Sequence, residues 1–218
     1  MAEAIWEKLL GHACDLIDGA EAAVGQGISW SFGGGTVLML RMNHRHSKDV
    51  DIFLTDPQVL GFFNPRISET AANVTEVYEE GTGHIKLYLP EGEIDFVVAT
   101  PLLPDPWESM RLLDRTVATE TSGEIIAKKM YHRGHRATAR DLFDFAAVAL
   151  TDPDAIVQAS PFFSQHGGEF LRQIHSRQTV MQAEFDAIDR RGFALTFEDS
   201  RAIVTELLRP VIDAASSR

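Results

Sequence analysis

The sequence predicts an α+β fold: a small mixed sheet flanked by helices, then a helical C-terminal half. Three observations predict it. Short apolar or alternating segments at 28–30, 49–54, 85–89 and 93–98 crowd into the first hundred residues. From about residue 122 onward the apolar residues instead recur at helical spacing. Between the first two strand-like segments lies Ser31-Phe32-Gly33-Gly34-Gly35-Thr36, where glycines release a strand into a tight turn before a helix. The expected division is an α/β core over 1–120 and a helical domain over 121–218.

Each element has its own local reason. Residues 4–24 carry Ile5, Leu9, Leu10, Ala13, Leu16 and Ile17 on one helical stripe, so they predict an amphipathic helix lying on the sheet. A strand at 28–30, a helix opening at Thr36 and a strand at 49–54 follow. Asp56 before Pro57 is an N-cap with proline in the first turn. Residues 68–78 predict a helix, and 85–98 a hairpin turning at Pro90-Glu91-Gly92. Residues 100–106 are proline-rich and loop out, 116–119 form one more strand, and Thr121-Ser122-Gly123-Glu124 opens a helix. The helices beyond are expected at 122–132, 138–150, 153–159, 167–189 and 197–215.

The chain has 218 residues, 44% of them hydrophobic, enough for a sizeable core. No apolar run approaches the length of a membrane span, and the N-terminus is acidic without a cationic leader region, so no membrane partner is expected and the cytoplasm is the expected compartment. Cys14 is the single cysteine, which excludes an internal disulfide and a cysteine-rich zinc site; its register with Leu10 and Ile17 makes it a small core residue. His44, His46, His132 and His135 do not make a convincing zinc set, because Gly134 marks a helix end and further ligands are not nearby. A net charge of −12 opposes indiscriminate binding to nucleic acid. Yet Arg41, Arg45, Lys48, Lys128, Lys129, Arg133, Arg136 and Arg140, eight of twenty cations, fall in two short segments. Such focused positive charge suits phosphates.

The chemistry is carried by the glycine turn and by acids. Backbone amides at a helix N-terminus, backed by the helix dipole, favour a triphosphate, and Thr36 adds a hydroxyl. Asp49 and Asp51 stand at i and i+2 on a strand and so share a face. Paired carboxylates repel unless a cation lies between them, and Mg²⁺ takes carboxylate and phosphate oxygens together. Asp95, flanked by apolar residues on a later strand, is the third acid; if its strand neighbours that of Asp51, the three can hold two metals and Asp95 can accept a proton from an attacking hydroxyl.

Gly34-Gly35-Thr36 with Leu38 and Leu40, then His44-Arg45-His46-Ser47-Lys48-Asp49-Val50-Asp51-Ile52-Phe53, resemble a block of the AbiEii/AbiGii-type nucleotidyltransferases, toxins of toxin–antitoxin systems within the DNA polymerase β-like superfamily. Glu124 to Met130 and Arg140-Asp141-Leu142-Phe143-Asp144 are similar to a second block, and the resemblance spans roughly 25–150. It implies that Gly34, Gly35, Thr36, Arg45 and Ser47 bind the nucleotide, that Asp49, Asp51 and Asp95 ligate metal, and that Lys129 neutralises phosphate charge. Asp141 and Asp144 share a helix face; either they join the nucleotide site or they cap and brace the basic helix. Departures from the pattern are Gly33 before the glycine pair and Val37 in place of alanine.

The expected reaction is Mg²⁺-dependent transfer of a nucleoside monophosphate from an NTP to an acceptor hydroxyl. The resemblance implies RNA, in particular tRNA, as acceptor and an antitoxin protein as partner. Alternatives are transfer to a small molecule such as an aminoglycoside, transfer to protein, or a non-catalytic nucleotide-binding module.

Overall fold

In the computed structural model, which describes residues 4–216, the chain divides into two compact units. The first comprises 1–37, 47–101 and 107–120; the second comprises 38–46, 102–106 and 121–218. Two short segments preceding residue 120 thus cluster with the helices.

The first unit is built on a seven-stranded mixed sheet. Its strands are β1 (Trp30–Gly33), β2 (Val50–Leu54), β3 (Tyr78–Gly81), β4 (His84–Tyr88), β5 (Glu93–Val98), β6 (Trp107–Leu112) and β7 (Arg115–Glu120), in the order β3-β4-β5-β2-β1-β7-β6. Alternation along the central strands gives the sheet two unlike faces. Phe32, Ile52, Phe96 and Ile85 are paired across four strands, and all are buried. This apolar face packs with helix α1 (Ile5–Val24), whose Leu9, Leu10, Leu16 and Ile17 are buried, and with a 3-10 turn at Pro57–Phe63. Phe63 stacks on Phe96 at 4.0 Å between ring centroids. Cys14 lies in this core, as its register requires. The Asp56 side chain accepts from the Gln58 amide, so the expected cap before Pro57 forms.

Two strands escape the sequence pattern. β3 and β6 are the sheet's outer strands; β3 reads Tyr-Glu-Glu-Gly and β6 is mostly exposed, so neither shows an alternating apolar signal. The helix expected at 68–78 stops early, as α3 (Glu69–Val74), because 78–81 pairs with β4. β1 also runs later than expected, through the first glycine, and helix α2 (Gly34–Met42) starts directly behind it.

The second unit contains α4 (Ser122–Arg133), α5 (Ala139–Thr151), α6 (Pro153–Ala159), α7 (Phe163–Ser176), α8 (Gln178–Asp186) and α9 (Phe197–Ser216). The helix expected at 167–189 is two helices, broken at Arg177. Thr121 caps α4 by accepting from the Glu124 amide, but Glu124 does not close the box: its carboxylate accepts from the amides of Leu102 and Leu103. Thr138 and Asp141 form a reciprocal capping box on α5. The aromatic core joins Phe143 to Phe185, Phe185 to Phe197, and Phe145 to Phe163 and Phe170. Among the described residues, no helix is long and apolar enough to cross a membrane.

Candidate active site

On the polar face of the sheet, strand register fixes one row of residues. Gly33 of β1 pairs with Asp51 of β2, Asp51 with Asp95 of β5, and Asp95 with Lys86 of β4. β2 and β5 are parallel and adjacent, so Asp51 and Asp95 project side by side from strands about 4.8 Å apart. This neighbouring of the two strands is the arrangement on which the sequence argument depends.

The glycines before this row are required by it. Gly34 has φ +70°, a conformation that disfavours side chains, and a Cβ there would collide with the Asp51 carboxylate. A Cβ on Gly33 would collide with the carboxylate of Glu120, which is fully buried at the end of β7, and with the Phe53 ring. The chain therefore turns sharply beside Asp51. The first amides of α2, at Gly34, Gly35 and Thr36, lie within that turn and have no intrahelical acceptor.

Asp95 is poorly compensated for a withdrawn acid. Its Oδ1 is buried without a hydrogen-bond partner, and its Oδ2 lies 3.4 Å from the Lys86 ammonium. Burial pushes its carboxyl above the ordinary aspartate range, against the pull of Lys86. Lys86 also reaches Glu93 at 3.1 Å, and these two acids raise its pKa against the opposing effect of burial. Asp49, just before β2, points its Oδ1 toward the start of β5, where it accepts from the Glu93 amide at 3.2 Å.

The three-acid cluster expected from sequence is therefore not preformed. Among the described residues, no group of three or more His, Cys, Asp or Glu side chains is set to hold a metal. Like-charged carboxylates separate onto other partners, Asp49 to an amide and Asp95 to Lys86. The donor set still fits a hard divalent cation at two positions, since Asp51 and Asp95 are adjacent and Asp95 has an oxygen with no donor.

Other expected site residues serve the architecture. Thr36 is fully buried, and its hydroxyl donates to the Asp49 carbonyl at 2.5 Å and lies 3.0 Å from Ser47 Oγ. With Ser47 the hydroxyl ties the glycine turn to the aspartate loop. A buried threonine spends its hydroxyl on the nearest carbonyl because an unmade bond is costly.

In the helical unit, Asp144 is the hub of a buried polar network. Arg45 forks onto it, Nε to Oδ1 at 2.6 Å and Nη2 to Oδ2 at 2.9 Å. His44 Nε2 lies 2.8 Å from Oδ1, and Lys129 Nζ 3.0 Å from Oδ2. Lys129 also donates to Asp141 at 2.7 Å, and Asp141 accepts from both the amide and the hydroxyl of Thr138. Opposing burial, Lys129 and Arg45 hold the Asp144 carboxyl well below the usual range, and Lys129 and Arg133 lower that of Asp141. Lys129 itself is raised by the two aspartates although burial opposes it. Arg45, expected to bind the nucleotide, is 4% exposed and donates to Asp144 and to the His46 carbonyl. Asp141 and Asp144 thus cap α5 and brace α4 through Lys129.

Lys86 and Glu120 escaped the sequence reading. The hairpin register would have found Lys86, because pairing Tyr88 with Glu93 puts Lys86 opposite Asp95. Glu120 had no comparable signal.

Similar proteins share this fold. Solved structures with the same fold include JHP933 from Helicobacter pylori (TM-score 0.52, 12% identity, covering 97% of this chain and 92% of that one). Another is MenT4, a nucleotidyltransferase toxin from Mycobacterium tuberculosis H37Rv (TM-score 0.52, 17% identity, 98% and 86%). A third is the antibiotic-resistance factor ANT(2'')-Ia (TM-score 0.50, 13% identity, 75% and 95%). No curated protein matches by sequence. The family model for the nucleotidyl transferase AbiEii toxin of type IV toxin–antitoxin systems matches residues 16–215, nearly the whole chain. With the glycine turn and the Asp51–Asp95 pair in their expected order, the chain belongs to the AbiEii family and is a nucleotidyltransferase.

Proposed function

We propose that the enzyme transfers a nucleoside monophosphate from an NTP to a hydroxyl at an RNA end, with tRNA the leading acceptor, and that it acts as a toxin held in check by an antitoxin. The observation that carries this reading is the row Gly33–Asp51–Asp95, which sets two carboxylates beside a turn rich in amide donors. Amides at the start of α2 favour the triphosphate oxygens. Asp51 and Asp95 would hold Mg²⁺, with Asp49 completing the set after exchanging its Glu93 amide for the ion. When bound, the metal supplies charge neutralisation for the transferred group and its leaving pyrophosphate.

The residues of this chain do the rest. Asp95, with an unpartnered oxygen and a raised pKa, is suited to take the proton of the acceptor hydroxyl. Lys129 spends two N–H donors on Asp141 and Asp144, which leaves its third for an anionic substrate. Holding the ammonium between two carboxylates fixes its position at the cost of part of its charge. Arg45 positions Asp144, and through it Lys129.

The test is incubation with each α-labelled NTP, Mg²⁺ and total RNA, followed by separation of RNA, protein and small molecules. Label in RNA, lost in the Asp51→Asn variant, is the expected result. Label in protein or in a small molecule would move the acceptor to those classes, and triphosphate binding without pyrophosphate release would exclude transfer.

A further inference from the structure

Residues 187–196 join α8 to α9, and the middle of this loop is zipped onto residues 43–46, the segment that follows α2. The His46 amide donates to the Asp189 carbonyl at 2.8 Å, the Arg191 amide to the His44 carbonyl at 2.9 Å and the Gly192 amide to the Asn43 carbonyl at 3.1 Å, around an antiparallel bridge between Arg45 and Arg190. Arg191 Nη1 donates to the Asn43 side chain at 3.0 Å. Two backbone features permit this close pairing. Asn43 turns the chain out of α2 at φ +52°, a conformation asparagine tolerates, and Gly192 leaves room where a Cβ would stand 3.3 Å from the Asn43 carbonyl. Phe193 meets His44 edge-on at 6.4 Å, while Phe143 stacks on the same imidazole at 5.6 Å.

One side chain closes the loop. Arg190 Nη2 donates to the Phe185 carbonyl at 3.0 Å and Nη1 to the Leu195 carbonyl at 3.2 Å, so a single guanidinium ties the end of α8 to the approach to α9. Its central carbon lies 4.9 Å from the centroid of the Phe185 ring, which packs in turn against Phe143 and Phe197. Asp186 stands 3.5 Å away. The Arg190 Nε is buried without a hydrogen-bond partner, so the fold keeps this arginine despite an unmade bond. A lysine has no fork with which to span two carbonyls.

The backbone held by this loop is the one that presents His44 and Arg45. Both side chains converge on Asp144, His44 by one contact at 2.8 Å and Arg45 by a two-pronged fork. Such a fork demands orientation as well as distance. Asp144 is also one of the two carboxylates that fix Lys129. Residues 43–46 belong to no helix or named strand, so pairing with the loop is what gives this backbone a ladder.

We infer that Arg190 is a positioning residue for nucleotidyl transfer: by closing the 187–196 loop it straps the backbone of residues 43–46, and so keeps Arg45 on Asp144 and Lys129 aligned for phosphate. This rests on the reading of Lys129 as the cation that meets the substrate, and adds the element that aligns it. Arg190 acts through the strap and not on the substrate.

The experiment compares Arg190→Met with wild type by amide hydrogen exchange and by transfer from α-labelled NTP. Transfer is followed in single turnovers with saturating enzyme, where the rate constant is independent of the folded fraction. The variant keeps an apolar stem over Phe185 and loses the fork. Exchange at His46, Arg191 and Gly192 is expected to quicken about tenfold. The transfer rate constant is expected to fall by about ten- to a hundredfold, the effect of a small displacement in a positioned group. Arg190→Lys, which keeps the charge without the fork, is expected to resemble Arg190→Met. Gly192→Ala, whose Cβ presses on the Asn43 carbonyl while Arg190 stays in place, serves where Arg190→Met folds poorly, with both effects in the same direction and about threefold. A wild-type rate constant in Arg190→Met, while Lys129→Met is inactive, would overturn the strap and leave the Lys129 reading standing, as would a slowed rate without quicker exchange at His46. Undiminished transfer by Lys129→Met would overturn that reading and the strap with it.

Discussion

Asp95, half-buried in the sheet, and Asp144, fully buried among the helices, are treated by the protein in opposite ways. Asp144 receives a guanidinium fork, an ammonium and an imidazole, and its carboxyl is driven far toward the ionised form. Asp95 receives one ammonium at 3.4 Å, keeps a buried oxygen without a donor, and is driven toward the protonated form. A structural acid is saturated by its own fold, whereas an acid intended for substrate or metal is left under-satisfied. The perturbed carboxyls of the two regions therefore differ in sign: lowered at Asp141 and Asp144, raised at Asp95.

The largest expected effect on stability is in the brace. Asp144→Asn leaves the buried Arg45 guanidinium without its carboxylate and Lys129 with Asp141 alone, and should destabilise by about 3–5 kcal/mol, read from urea unfolding. Activity should fall with it, because Lys129 loses one of its two anchors. A stable Asp144→Asn protein would remove the contrast with Asp95.

Gly34→Ala should come next. It imposes a side chain at positive φ and drives it into the Asp51 carboxylate, so a loss of about 1–3 kcal/mol is expected together with a large drop in NTP affinity. Titration calorimetry with a non-hydrolysable NTP checks it.

The pH dependence of stability is a smaller effect with an informative sign. The depressed carboxyls of Asp141 and Asp144 contribute stability that is complete above the unfolded value of about 3.9 and lost as pH falls through their folded values. Asp95 acts oppositely: its raised value makes stability fall as pH rises from about 3.9 through the folded value. Asp144→Asn should flatten the acid limb of the unfolding curve, and Asp95→Asn should lift the plateau above it. The same direction for both variants would refute the sorting by sign.

Lys86→Met should have the smallest effect on folding. It frees Asp95 and Glu93 from a partly exposed ammonium, a pairing worth about 0–1 kcal/mol at such exposure. It should tighten Mn²⁺ binding, measured by electron paramagnetic resonance, because the ion no longer competes with the ammonium.

Much of this contrast was legible in the sequence, and the missing part has a physical cause. Asp49, Asp51 and Asp95 stand out because carboxylates in strand-forming segments are unusual, and the glycines before them mark a turn. The fold class followed from the switch of apolar period near residue 122. The roles of Arg45 and Asp144 were not legible, because a side chain's partner depends on contacts far along the chain: Arg45 meets Asp144 only once the helices pack. The two basic segments read as phosphate-seeking thus split, with Arg45, Lys128 and Lys129 turned inward and Arg136 and Arg140 left outside. β3 and β6 were missed because outer strands need no apolar alternation.

The central claim is that the under-satisfied acid is the reacting one, and Asp95→Asn tests it in one preparation. The account expects label transfer from α-labelled NTP to fall by at least about 10²–10³-fold while the melting temperature stays level or rises. Undiminished transfer, or a melting temperature that drops as far as that of Asp144→Asn, would contradict it.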